Sequence, residues 1–418
     1  MDDLLPRHVQ GRVEDLLNVF PAVELIGARQ VGKSTLAAMI VEAADRPARL
    51  LTLDDAETRE AATADPRGFL ALEPEGLLVI DEFQRVPGLA LALKAAVDSD
   101  RTSGRFLLTG SVTMPAAQPV GDSLAGRVVG TRVFGFSQGE RAGRRDDFVR
   151  AVLRGALEAQ YRSGMGRADY VDLLAAGSMP EACRLPQRYR ADWLESYVSR
   201  LLGRDLREFS RLSDPRRLRS LLAGLAAAQG SETVVARLGG AVNLSASTTT
   251  SYMELLRALH LVERLPPWTP NLLKREVGRS KYLLTDSALA MRLTRTSPDT
   301  LKDLVRGGAL GGLLEAFVAA ELMRQSTWCE ERFTISHYRS PDGREIDLIL
   351  ELDDGRVIAV EVKAASSASA ADARHLRWLE GRIGDRLVAG VVLTTDDRSR
   401  HLGGRLWAVP VAALWELG

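Results

Sequence analysis

The spacing of apolar residues changes character several times along the chain, and each change predicts a different kind of element. Within residues 1–22, Leu16, Leu17, Val19 and Phe20 face one side of a helix that Pro21 closes. A compact apolar run at Val23, Leu25 and Ile26 predicts a buried strand, and Leu36, Ala37, Met39 and Ile40 restart the pattern at helical spacing. Residues 49–53, 77–80 and 105–111 are further short apolar runs, the first two ending at Asp54-Asp55 and Asp81-Glu82, while 89–97 reads as a helix returning to the sheet. From 136 to about 211 the pattern is helical, with Gly177-Ser-Met-Pro180-Glu181 as a loop and Trp193, Tyr197, Leu201 and Leu202 at core spacing. Helices at 218–228, 232–238 and 245–260 follow, the last two divided by a Gly239-Gly240 turn, with short strands at 261–265 and 281–285. The final block holds a helix at 313–322 and two strand patterns, 344–351 and 356–363, joined by the hairpin signal Asp353-Asp354-Gly355. The expected architecture is an α/β multidomain chain: a parallel sheet over 1–135, a helical connector over 136–213, a winged-helix-like domain over 214–300 and an α/β domain over 301–418.

Composition narrows the class of molecule. The 418 residues provide material for several buried cores. Lys plus Arg and Asp plus Glu both number 55, so no global basic charge points to nucleic acid, although local patches such as Arg216, Arg217 and Arg219 remain. Cys183 and Cys329 form no metal or disulfide pattern, and neither a signal peptide nor an apolar run of membrane-spanning length is visible. A cytoplasmic protein with no membrane partner is the expectation.

The strongest chemistry sits where the first strand breaks into the helix after it. Gly27, Ala28, Arg29, Gln30, Val31, Gly32, Lys33, Ser34 and Thr35 have the spacing G-x-x-x-x-G-K-S between a strand and a helix. Glycines let successive backbone N–H groups point inward at a phosphate, and the helix start adds its positive dipole end. The site predicts ATP and Mg²⁺: Lys33 neutralises the β- and γ-phosphates, Ser34 ligates Mg²⁺ and Thr35 is placed for the α-phosphate. Asp81 then holds Mg²⁺ through water and Glu82 polarises the attacking water as general base, the alternative being a plain helix cap. Thr109 and Ser111 end a third strand that senses the γ-phosphate from beside them. The 49–53 strand is expected to separate the two motif strands. Arg127 either reaches a γ-phosphate, in cis or across a subunit boundary of a homo-oligomer, or makes a surface ion pair.

Two later segments carry chemistry of their own. The short helices around Gly239-Gly240 resemble a helix-turn-helix. Ser245, Ser247, Thr248, Thr249 and Thr250 open its last helix with hydroxyls suited to phosphates or bases of DNA, with Tyr252 beside them; the alternative is a module that only packs between neighbours. Folding the C-terminal hairpin about Asp354 sets Asp347 opposite Glu361, with Cβ atoms about 5 Å apart. Such a pair favours a divalent cation between its carboxylates, a second Mg²⁺ or Mn²⁺, with Lys363 on the same face and Glu315 of the preceding helix as a further ligand.

Asp347, then Glu361-Val-Lys363, after a helix bearing Glu315, resembles the PD-(D/E)XK nuclease superfamily. That resemblance implies a restriction-endonuclease-like fold in which Asp347 and Glu361 hold the metal and Lys363 orients the attacking water. The whole chain is similar to the bacterial and archaeal AAA+ family whose P-loop NTPase core is followed by a C-terminal domain of unknown function. Arg29-Gln30 in the cradle, Leu53-Asp-Asp, Val79-Ile-Asp-Glu-Phe-Gln84, Leu108-Thr-Gly-Ser111, Leu124-Ala-Gly-Arg127, Arg204-Asp205, Leu265-Pro-Pro-Trp268 and Thr285-Asp-Ser-Ala-Leu289 carry it. Ala28 stands where that family more often has proline. Two functions are compatible with these features. In one, ATP hydrolysis moves a winged-helix and nuclease-like region on DNA; in the other, a nucleotide-dependent switch or assembly protein carries a nuclease-like domain that binds a protein partner without cleaving.

Overall fold

The computed structural model describes residues 4–111, 124–205, 214–269, 278–303 and 308–418, with backbone alone at 204 and 205. The end of the expected 136–211 helical stretch, and the side chains of Arg204-Asp205, lie outside what is described. Contacts divide the chain into two units, residues 1–136 with 258–260, and residues 137–257 with 261–418.

The first unit is a five-stranded parallel sheet of β1 (Ala22–Ile26), β2 (Ala48–Thr52), β3 (Leu77–Asp81), β4 (Phe106–Gly110) and β5 (Val128–Arg132), in the order β2-β3-β4-β1-β5. Strands covered on both faces read as unbroken apolar runs, and β3 and β4 are buried along their whole length. This corrects one expectation: the strand between β1 and β3 is β4, and the 49–53 strand is an edge. The physical reason lies in exposure, because the fully buried run of β4 requires a neighbour on either side, whereas β2 leaves Arg49 and Leu50 exposed. Helix Leu89–Ser99 returns from β3 to the start of β4 with Leu89, Leu93 and Val97 packed on the sheet and Leu91 facing out. Each of those buried side chains contributes roughly 2 kcal/mol.

The second unit begins with helices between Gln138 and Asp205. Helices Pro215–Ala227, Val235–Ala241 and Ala246–Ala258 follow, then the antiparallel pair β6 (Val262–Leu265) and β7 (Lys281–Leu284), the element order of a winged helix. Asp214 caps the first of these helices by accepting from Arg216 N and Arg217 N, ahead of a proline at the first helical position. The expected Gly239-Gly240 turn is corrected: both glycines lie inside Val235–Ala241, and the chain turns afterwards through Asn243, at φ 56°. Gly239 is small because the neighbouring helix crosses it, so that a Cβ there would fall 1.9 Å from Thr249 Oγ1.

Beyond helix Leu310–Gln325 lies a six-stranded mixed sheet, β12-β13-β11-β10-β9-β8, made of β8 (Phe333–Arg339), β9 (Glu345–Leu352), β10 (Val357–Lys363), β11 (Leu387–Thr394), β12 (Arg400–Gly403) and β13 (Leu406–Pro410). Helix Arg374–Ile383 closes its core with Leu376 and Leu379. Trp268 of the Pro-Pro-Trp segment joins that core, its backbone N–H donating to His337 O of β8.

Candidate nucleotide site and C-terminal acidic site

The parallel strands of the first unit all end on one side, and the residues predicted to handle nucleotide are gathered there. After β1 the chain turns through Gln30, at φ 64°, and Gly32, at φ 92°, into helix Lys33–Glu42. Gly27 admits no side chain, since a Cβ would sit 2.1 Å from Val133 O. Behind the loop, Arg7 clamps it by donating to Val31 O at 2.9 Å and to Phe134 O at 2.6 Å. The ammonium of Lys33 is folded onto the cradle, 2.9 Å from Gly27 O and 2.8 Å from Ala28 O. Burial lowers its pKa to about 8, against the opposing pull of Glu82 and Asp81.

Asp81 is the hub of this cluster. Its Oδ1 accepts from Ser34 Oγ at 2.7 Å and Thr109 Oγ1 at 2.6 Å, and its Oδ2 accepts from Thr52 Oγ1 at 3.3 Å. Glu82, one residue beyond the strand, is held at φ 56°, a left-handed backbone that a non-glycine residue adopts only when its surroundings compel it. Those surroundings are visible: Glu82 N donates to Thr109 Oγ1 at 3.0 Å, Ser111 Oγ donates to Glu82 Oε1 at 2.8 Å, and Gln84 Nε2 donates to Glu82 Oε2. Thr109 and Ser111 therefore hold the two carboxylates from the intervening strand. The cradle's backbone and Lys33 suit the phosphates of ATP, and the Ser34–Asp81 pair offers the oxygen donors that Mg²⁺ prefers.

Arg127 is not among them. Its guanidinium makes a two-pronged pair with Asp98, Nε to Oδ1 at 2.8 Å and Nη2 to Oδ2 at 2.9 Å. It directly precedes β5, whose Val128 pairs with Ala22 at the start of β1, so it lies at the opposite end of the sheet from the cradle. Five strand residues at about 3.3 Å each separate the two ends. The in-cis γ-phosphate role is thus corrected to the ion-pair alternative.

The hydroxyl-rich helix start in the second unit leaves Ser245, Ser247 and Thr250 exposed but binds most of its hydroxyls to its own helix. Ser245 Oγ accepts from Thr248 N, and the hydroxyls of Thr249, Thr250 and Ser251 donate to carbonyls four residues back. Tyr252, expected beside them at a DNA surface, is buried, as is Thr249. Their apolar neighbours in the helix stripe draw both into the core, which removes them from any groove contact.

In the C-terminal sheet the hairpin has the expected register, Val357 with Glu351 through Val360 with Leu348, and the ladder stops one step before Asp347 and Glu361. There Asp347 Oδ2 accepts from Val362 N at 2.8 Å. Lys363 Nζ donates to Glu361 Oε2 at 2.8 Å and lies 4.0 Å from Asp347 Oδ2. Burial first, and Asp347's charge second, push Glu361 up to about 8. The same two causes push Glu315 up to about 8.

The sequence reading missed the residue between these groups. Lys281 Nζ is 2.8 Å from Glu315 Oε1, 3.0 Å from Glu345 Oε1 and 3.8 Å from Asp347 Oδ1. Glu315, Asp347, Glu361 and Lys363 are thus brought together, and the ammonium of Lys281 lies against Glu315 and Asp347. Among the described residues no group of three or more His, Cys, Asp or Glu is disposed to hold a metal ion. Nor is any described helix long and apolar enough to cross a membrane.

Residues 19–142 match the family model described as an AAA domain. Those residues form an AAA-type P-loop ATPase core. Beyond the core, residues 167–300 and 310–414 match two domains of unknown function, DUF8612 and DUF4143. The chain is 29% identical over 366 residues to the uncharacterized protein Rv2008c of Mycobacterium tuberculosis, covering 87% of this chain and 75% of that one. The uncharacterized protein Mb2031c of Mycobacterium bovis matches to the same extent. Among solved structures, the Walker-type ATPase PABY2304 of Pyrococcus abyssi aligns at 16% identity over 70% of this chain and 96% of that one, with a TM-score of 0.43. The RuvB Holliday junction branch migration motor of Thermotoga maritima aligns at 17% identity over 64% and 92%, with a TM-score of 0.30.

Around the ATPase core, Arg7 and Thr52 are supporting residues that motif spacing did not single out, while Gln84 belongs to a quoted motif and gains a role as a partner of Glu82. Arg7 lies 24 residues from the carbonyl it grips at Val31 and 127 from that at Phe134, so no local pattern announces it. Thr52 carried a signal of sorts, a hydroxyl at the end of an apolar strand, the feature that marked Thr109.

Proposed function

We propose that the chain hydrolyses ATP with Mg²⁺ at the cradle of its ATPase core. The observation that carries this is the junction of β1, β3 and β4: a buried lysine ammonium on the cradle, an aspartate bonded to the cradle's serine, and a glutamate held in left-handed backbone beside them. Lys33 exchanges its two carbonyl partners for phosphate oxygens, and Ser34 with Asp81 would hold Mg²⁺. When bound, the metal offsets charge on the phosphates. Glu82 takes the proton of the attacking water, and its restraint by Ser111, Gln84 and Thr109 fixes where that carboxylate points. The test is phosphate release by the full chain, abolished by chelation of Mg²⁺ and strongly reduced in Glu82→Gln.

For the second unit we propose the switch: a nuclease-like domain that binds a protein partner without cleaving, its state set by nucleotide. The observation that favours its non-cleaving part is Lys281 among Glu315, Glu345 and Asp347. Incubation of the full chain with single-stranded and duplex DNA and RNA, with Mg²⁺ or Mn²⁺ and with or without ATP, tests it. Intact substrates are expected, and cleavage lost in Asp347→Asn would restore the nuclease reading.

A further inference from the structure

Lys281 reaches the C-terminal acidic cluster from the winged-helix pair. Its backbone is pinned in that pair: it opposes Leu265 across β6 and bridges to Glu232, while the preceding Ser280 O accepts from Thr233 N at 3.0 Å. The side chain is only 2% exposed. An ammonium buried to that degree is costly to desolvate unless other charges replace the water. Here Glu315 from helix Leu310–Gln325, and Glu345 with Asp347 from β9, replace it.

The spacing of the oxygens distinguishes an ammonium from a metal. Mg²⁺ draws its oxygens to about 2.0–2.1 Å and demands near-octahedral closure. Around Lys281 Nζ two carboxylate oxygens stand at 2.8 and 3.0 Å, within reach of N–H donors, and Asp347 Oδ1 stands at 3.8 Å as an ion-pair contact, so the carboxylates are held apart by the side chain between them. One oxygen of the expected ligand set is left over. Glu361 is 4% exposed, its Oε2 is taken by Lys363, and its Oε1 is buried with no hydrogen-bond partner. A buried acceptor without a donor is costly, and a cation admitted beside it would satisfy it.

We propose that the ammonium of Lys281 is the resident cation of this site, occupying the room a divalent metal would need, so that the domain keeps a nuclease-like carboxylate set closed to Mg²⁺ and Mn²⁺. The inference rests on the non-cleaving reading of the second unit. It predicts that removing the ammonium while keeping the volume of its stem opens the site.

The test is Mn²⁺ uptake by the full, nucleotide-free chain, followed by the electron paramagnetic resonance of free Mn²⁺, in wild type, Asp347→Asn, Lys281→Met and the double variant. Wild type and Asp347→Asn should titrate alike, because the site takes no Mn²⁺. Lys281→Met should gain one Mn²⁺ at an affinity at least tenfold above wild type, and the gain should vanish in the double variant. A folded Lys281→Met with no gain overturns the inference while leaving the non-cleaving reading in place. Wild-type Mn²⁺ binding lost in Asp347→Asn overturns it too, and that comparison decides even if Lys281→Met fails to fold. Mn²⁺-dependent cleavage by wild type, lost in Asp347→Asn, defeats the non-cleaving reading itself.

Discussion

Thr109→Val removes one hydroxyl and changes almost no volume, yet that hydroxyl stands between both acidic residues of the ATPase core. Thr109 Oγ1 donates to Asp81 Oδ1 at 2.6 Å and accepts from Glu82 N at 3.0 Å, and the residue is completely buried. A hydrogen bond to a charged acceptor contributes about 1.5–3 kcal/mol, and a buried N–H left without an acceptor costs about 1–3 kcal/mol. Because Ser34 still donates to the same Asp81 oxygen, the lower half of the summed range applies, and Thr109→Val should destabilise the core by roughly 2.5–4 kcal/mol. Turnover should fall as well, since Glu82 keeps its left-handed backbone partly through that N–H, whereas the Michaelis constant for ATP should change little. Thr109→Ser retains both hydrogen bonds and should lose only about 1 kcal/mol for the missing methyl. All six tryptophans belong to the second unit, so intrinsic fluorescence does not report on this one. Hydrogen exchange of peptides spanning 77–111, read by mass spectrometry alongside steady-state phosphate release, is the suitable assay. Equal exchange and equal turnover in Thr109→Val and wild type would refute the assignment of Thr109 as a positioning residue.

Two further outcomes follow from the same geometry. Lys33 has a folded pKa near 8, below its ordinary 10.5, so between those values the unfolded chain binds more protons and the nucleotide-free protein gains stability as pH rises. Phosphates restore the charge, so ATP binding above pH 8 should take up protons, measured by calorimetry in buffers of different ionisation enthalpy; Lys33→Ala should instead bind ATP weakly. Arg127→Ala breaks the pair with Asp98 at the far end of the sheet and should leave turnover per chain unchanged in dilute solution, whereas a large loss would place the arginine at a neighbouring molecule's nucleotide.

What the sequence revealed depended on whether the determining contacts were local. The cradle and the β3 end were legible because a strand, a turn and a helix start are each encoded within a few residues. Hairpin register was legible for the same reason: Asp353-Asp354-Gly355 fixes the turn, and the period of two fixes every pair after it. Sheet order was not, because chain order says nothing about which strand inserts between β1 and β3. Arg127 misled because a residue following a strand in sequence can precede the next parallel strand at the opposite end of the sheet. Lys281 escaped notice because a lysine opening a short strand has the pattern of a solvated edge, and its partners lie 34 residues and more downstream. Tyr252 was read by its chemistry when its place in the apolar stripe of Ala246–Ala258, with Met253 and Leu256, was the stronger indication.

Whether Glu82 is the base of an ATP-hydrolysing core is decided by comparing Mg²⁺-dependent phosphate release and ATP affinity in wild type and Glu82→Gln. The variant should bind ATP as wild type does and release phosphate about a hundredfold more slowly or worse. Equal release by the two proteins, or no Mg²⁺-dependent release from wild type, would contradict that role.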